Sequence, residues 1–133
     1  MARERRRHKR YPIDLPARFR IVLPSQPAAA SPFQTARLAD LSEGGARLLT
    51  NTVRVENLHI FHPTASTSEQ CLLDVEVAET DPPQTVRARV IWYDHTPEGS
   101  PFAFQAGLQF LEPSADQRKE IRTCLERLKN RRC

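Results

Sequence analysis

Most of this chain alternates apolar and polar residues with a period of two, and only the segment from Ser114 onward switches to helical spacing. That order points to strands in series with one helix packed on the sheet they form. In LPARFRIVL, residues 15–23, Leu15, Ala17, Phe19 and Ile21 alternate with Arg18 and Arg20. TARLADL (35–41) and ARLLT (46–50) flank SEGG as strand, turn and strand. CLLDVEVAE (71–79) buries Leu73, Val75 and Val77 and leaves Asp74 and Glu76 to water. In QTVRARVIWYD (84–94), Val86, Ala88, Val90 and Trp92 share one face, with Arg87, Arg89 and Tyr93 on the other. The turn DPPQ (81–84) joins these two strands. FAFQAGLQFL (102–111) offers Phe102, Phe104, Ala106, Leu108 and Phe110 to one side.

After the last strand Ser114 is an N-cap and Gln117 completes a capping box; Ile121, Cys124, Leu125 and Leu128 then form one apolar helical stripe. The helix is expected over residues 114–130. About six antiparallel strands with short turns need their edges closed or covered, and a small barrel capped by the helix does both. The expected fold is therefore all-β, a six-stranded antiparallel barrel with one C-terminal α-helix. Residues 24–32 (PSQPAAASP) read as an irregular connection, longer than a hairpin needs, and residues 59–70 (HIFHPTASTSEQ) as a weak strand followed by a polar loop. At 133 residues the chain is one domain, read as a flexible basic arm at 1–12 and a barrel domain at 13–133.

The net charge is +4, but its distribution is uneven. Residues 1–20 hold eight Arg and Lys against Glu4 and Asp14, and residues 118–133 hold seven against Glu120 and Glu126. Between them, residues 21–117 carry five arginines against twelve carboxylates. A mildly acidic body with two basic ends attracts an anionic partner at those ends. Arginine supplies 17 of the 20 cations, which favours planar bidentate and stacking contacts with phosphates and bases. At the C-terminus, Arg127, Lys129, Arg131 and Arg132 most simply complement the negative end of the helix dipole.

Several classes of function are set aside. No apolar run reaches the roughly 18 residues of a membrane span, and the N-terminus lacks the apolar core of a signal peptide, so no membrane insertion and a cytoplasmic location are expected. Cys71, Cys124 and Cys133 have no CxxC spacing and read as buried or incidental thiols. His59 and His62, three apart in a strand, fall on opposite faces and do not share a metal; His8 and His95 stand alone. Neither a Ser-His-Asp set nor paired catalytic carboxylates nor a phosphate-cradling glycine loop can be placed, so no catalysis, cofactor or metal is expected.

Chemistry concentrates in DLSEGG, residues 40–45, where Asp40, Ser42 and Gly45 have the spacing D-x-S-x-x-G. In extended chain Asp40 and Ser42 project to one side, and Gly44 with Gly45 permits close approach. An ionised Asp accepts from two neighbouring N–H donors, and the guanine Watson–Crick edge presents such a pair. Equally, both side chains suit a tight turn through bonds to its own backbone.

Upstream, Arg6 and Arg10 form R-x-x-x-R, with 29 residues between Arg10 and Asp40. The two motifs in this order resemble the signature of PilZ domains, bacterial receptors for cyclic di-GMP. RYPIDLPARFR resembles the arm and first strand of that family, VIWYD its Trp-bearing strand, and GLQFLEPSADQRKEI its last strand and helix. The resemblance spans almost the whole chain and implies the six-stranded barrel. It also implies that Arg6 and Arg10 grip guanine and phosphate, that Asp40 and Ser42 hold a guanine edge, and that Gly45 keeps the loop open. Arg5, Arg7, Gly44 and Trp92 are implied as secondary contacts. The expected mechanism is an adaptor: the ligand neutralises a self-repelling arm, the arm folds against the barrel, and an unidentified effector protein reads the new surface. Two rivals remain. A basic arm can bind nucleic acid, against which the acidic middle argues, and a PilZ-like module can bind proteins without the ligand, against which the intact motifs argue.

Overall fold

The alternating segments become strands. The computed structural model describes residues 11–63, 69–78, 80 and 83–131. Its elements are β1 (Tyr11–Val22), β2 (Gln34–Leu41), β3 (Gly45–Thr50), β4 (Arg54–Val55), β5 (Leu58–His59), β6 (Leu72–Val77), β7 (Gln84–His95), β8 (Phe104–Phe110) and α1 (Ala115–Arg131). Six of the strands close a barrel in the order β1-β2-β3-β8-β7-β6, every pair antiparallel. β1 makes the closure possible. It pairs with β2 from Tyr11 to Phe19 and with β6 from Ala17 to Val22, so neither of its sides is left as a bare edge. The strand begins at Tyr11, so residues 11 and 12 of the expected arm already pair with β2; residues 1–10 lie outside the described residues.

Inward residues follow the expected period. Leu15, Ala17, Phe19 and Ile21 of β1 meet Leu38, Leu48, Leu73, Val75, Val77, Val86, Ala88 and Leu108 in one core. β4 and β5, which the sequence marked only by a weak strand near His59, form a small hairpin outside the barrel and add Leu58 and Ile60 to that core. Phe102 and Phe104 depart from the expected stripe: both are half-buried, and Phe104 lies 5.1 Å from the His95 ring. Cys71 and Cys124 are buried and form no disulfide, and burial pushes the Cys71 thiol pKa up.

Helix α1 starts with the expected capping box. Ser114 N donates to Gln117 Oε1 at 2.9 Å, and Gln117 N donates to Ser114 Oγ at 3.1 Å. Gln117 Nε2 also donates to the Thr85 carbonyl at 2.7 Å, which fixes the helix start on β7. Ile121, Cys124 and Leu125 are buried and Leu128 packs at the rim of the core. Among the described residues no helix is long and apolar enough to cross a membrane.

One outward residue does not face water as expected. Asp74 is 6% exposed, because its register partners Arg20 and Arg87 close over it from both sides. Arg20 Nε reaches Oδ2 at 3.0 Å and Arg87 Nε reaches Oδ1 at 2.6 Å. Phe33 covers the same wall, with the Arg18 and Arg20 guanidinium carbons 4.7 and 5.2 Å from its ring centre. Glu76, half-buried, takes two hydrogen bonds from Arg18, and these hold its carboxyl below the usual range. Removing Asp74 strands two guanidinium groups beside each other. Asp74→Ala is expected to cost about 2–3 kcal/mol, below the range for a fully buried pair because both arginines reach solvent. Arg18→Ala, at an exposed pair, is expected to leave the urea midpoint almost unchanged, and urea titration of both variants checks the contrast.

Candidate functional site

The D-x-S-x-x-G turn sits between β2 and β3 and is fastened on every side. Ser42 N donates to the Gly45 carbonyl at 2.9 Å. The Ser42 hydroxyl accepts from Gly44 N and Gly45 N at 3.2 and 3.1 Å and is itself 3% exposed. The Gly44 carbonyl accepts from Phe110 N at 2.9 Å, which ties the turn to β8. Glu43 Oε1 accepts from Arg122 Nε at 3.1 Å, which ties it to α1. Ser42 thus does for the turn what a short hydroxyl side chain does best.

Asp40 points outward beside this turn. Arg47, its register partner across the hairpin, donates through Nε to Asp40 Oδ2 at 3.1 Å and through Nη1 to Gln105 Oε1 at 3.2 Å. Gln105 Nε2 in turn donates to the His95 carbonyl at 3.2 Å. A polar chain therefore crosses from β2 through β3 and β8 to β7. Arg47 and Gln105 were not singled out from sequence; the only available signal was that Arg47 follows Gly45 by two residues on the outward phase of the hairpin.

The strand register arranges a longer row. Pro12, Asp40, Arg47, Gly107 and Trp92 are successive partners across β1, β2, β3, β8 and β7. Register shifts between Pro12 and Leu15, between Leu38 and Asp40, and between Val90 and Trp92 all border this row. Bulges re-aim side chains, and here the third one overturns the core-face expectation for Trp92. Alternation from Val86, Ala88 and Val90 stops at the bulge, so Ile91 and Trp92 both face out, 46% and 39% exposed. Tyr93, expected outside with Arg87 and Arg89, is half-buried against Phe61, His59 and His62 instead.

His59 and His62 are likewise closer than strand alternation implied. β5 ends at His59 and the chain folds back, so the two rings lie 4.6 Å apart. His59 Nδ1 accepts from Phe61 N and His62 N at 3.0 and 3.1 Å, and His62 Nε2 lies 3.1 Å from the Tyr93 hydroxyl. Among the described residues no group of three or more His, Cys, Asp or Glu is placed to hold a metal.

Arg5, Arg6, Arg7 and Arg10 lie outside the described residues. The structure does place the point where their segment joins the barrel: Arg10 is bonded to Tyr11, Tyr11 pairs with Leu41, and Pro12 pairs with Asp40. The R-x-x-x-R segment therefore leads directly into the row that carries Asp40. The family model for the PilZ domain matches residues 4–127. This chain belongs to the PilZ domain family.

Solved structures share its fold at low identity. The PilZ domain with c-di-GMP of YcgR from Escherichia coli superposes with a TM-score of 0.65 at 18% identity, covering 96% of this chain and 94% of that one. The MrkH–c-di-GMP complex of K. pneumonia gives 0.66 at 20% identity over 98% of this chain and 55% of that chain. The Bacillus subtilis inhibitor of motility MotI gives 0.59 at 17% over 98% and 54%. This chain thus spans about half the length of those last two proteins. No curated protein sequence matches it.

Two measurements test the PilZ turn and its flank. Ser42→Ala leaves the buried Gly45 N–H and the half-buried Gly44 N–H without their acceptor and is expected to lower unfolding free energy by about 1–2 kcal/mol in urea titration. The second concerns acid. Burial, aided by His62 and Arg54, lowers the His59 pKa in the fold, and its Nδ1 must stay unprotonated to accept two N–H bonds. As pH falls through the ordinary value of 6.5, the unfolded chain takes up a proton that the folded chain resists, so stability declines there and is level above it. His59→Asn, whose amide oxygen accepts from the same donors, is expected to flatten the fall in urea midpoint between pH 7.5 and 5.5.

Proposed function

We propose that this PilZ domain is a cyclic di-GMP receptor and adaptor. One observation supports it above the others: the D-x-S-x-x-G turn presents Asp40 in the same row as exposed Trp92 and opposite the entry of the R-x-x-x-R segment into β1. Two solved neighbours of the same fold are complexes with c-di-GMP. In this reading Arg6 and Arg10 engage guanine O6 and N7 and the phosphates by bidentate contacts, as arginine does in nucleic-acid recognition. Asp40 accepts from a guanine N1–H and N2–H pair, and Arg47 keeps its carboxylate oriented. Ser42 contributes by holding the turn in shape, Gly44 and Gly45 let the ligand approach the backbone, and Trp92 offers a ring face to a base. Arg5 and Arg7 supply further cations to the phosphates or to a second ligand molecule.

The domain acts without catalysis, cofactor or metal: binding is the chemistry. Neutralising the arginine run allows residues 1–10 to settle on the barrel, and the surface so formed is read by an effector protein in the cytoplasm. The structural likeness to the Bacillus subtilis inhibitor of motility makes motility a process to examine first, with biofilm formation beside it. The acidic body disfavours nucleic acid as the partner, since residues 21–117 carry twelve carboxylates against five arginines.

Calorimetric titration tests the reading. Cyclic di-GMP is expected to bind at tens of micromolar protein, with cyclic di-AMP and single-stranded DNA giving no comparable heat. Arg10→Ala and Asp40→Ala are each expected to weaken binding by at least about 1–3 kcal/mol. Near-normal affinity in both variants would refute the site, and absence of heat with the unmutated chain would refute the receptor.

A further inference from the structure

Gly107 is buried although the register turns it outward, between Arg47 and Trp92. The cover is the indole itself. A Cβ built on Gly107 would lie 2.1 Å from Trp92 Nε1, 2.5 Å from Cε2 and 2.7 Å from Cδ1, so the five-membered ring rests on the bare backbone. Neither β3 nor β7 leaves β8 room to retreat, because Gly107 lies within ladders to both. Any side chain at this position therefore moves the indole. With its inner face seated on the glycine, Trp92 keeps 39% of its surface in solvent beside Ile91.

From these facts we infer that Gly107 is a positioning residue for ligand: it seats the Trp92 indole flat on the barrel wall as a fixed stacking platform for a base. Three cross-strand steps separate Trp92 from Asp40, about 14 Å along the wall at the backbone. A ligand with two guanines has one base to offer at the Asp40 end and another at the Trp92 end, while Arg47 fills the span between them. The seat matters because a platform already fixed loses no rotamer freedom when the base arrives. The inference rests on the cyclic di-GMP reading and adds a residue whose role no motif marks.

The test is a double-mutant cycle read by calorimetry and by tryptophan emission, Trp92 being the sole tryptophan. Gly107→Ala and Trp92→Ala are each expected to raise the Kd for cyclic di-GMP about tenfold. The double variant should bind no worse than Trp92→Ala alone, because a residue that acts through the indole has nothing to do once it is gone. Gly107→Ala should also shift the ligand-free emission to the red with the far-UV circular dichroism unchanged. Unaltered affinity in Gly107→Ala, or effects that multiply in the double variant, would overturn the positioning role while leaving the receptor reading intact. Failure of the unmutated chain to bind would overturn both. Should Gly107→Ala not fold, the unmutated chain decides: saturating cyclic di-GMP must quench Trp92, and unchanged emission overturns the proposal.

Discussion

The hydrogen bonding of β1 along both its sides is the constraint on which the rest of the molecule depends. A strand of twelve residues, shared between β2 at one end and β6 at the other, closes the sheet and leaves no unpaired edge on it. Closure fixes the register all the way round, and register decides which outward side chains become neighbours. It also determines where the preceding basic segment meets the barrel. Had β1 slipped by one residue, Phe19 and Ile21 would face water and Pro12 would no longer oppose Asp40.

Against that regular frame, the candidate site is assembled where regularity lapses. Three register shifts border the row from Pro12 to Trp92, and the one between Val90 and Trp92 turns out of the wall a ring that strict alternation would have placed inside. The polar chain from Asp40 through Arg47 and Gln105 to the His95 carbonyl then stiffens the same stretch of wall. Packing inside the barrel supplies stability, and these irregularities shape the outer wall where the candidate site lies.

What sequence makes legible follows from the range of the physics involved. Alternation and the Ser114 capping box act over two to four residues, and the strands and α1 appear nearly where those signals put them. The D-x-S-x-x-G spacing likewise identified a turn whose Ser42 bonds are local. Effects set between strands were not legible. Asp74 is buried by arginines 54 and 13 residues away, a fact absent from its own segment. Trp92 follows the alternation of its strand until a bulge, defined only by its pairing with β8, reverses the phase. His59 and His62 meet because β5 stops after two residues, and nothing in the local composition announces so short a strand.

The contact between Glu43 and Arg122 joins the motif turn to the middle of α1 across 79 positions of sequence. As an exposed ion pair it contributes little to stability. Its interest is thermodynamic reciprocity. If binding at the turn and binding on α1 near Arg122 both alter this pair, each changes the affinity of the other by the same factor. The helix that caps the barrel and the motif turn therefore share one side-chain contact, through which binding at either is felt at the other only as far as it alters that pair.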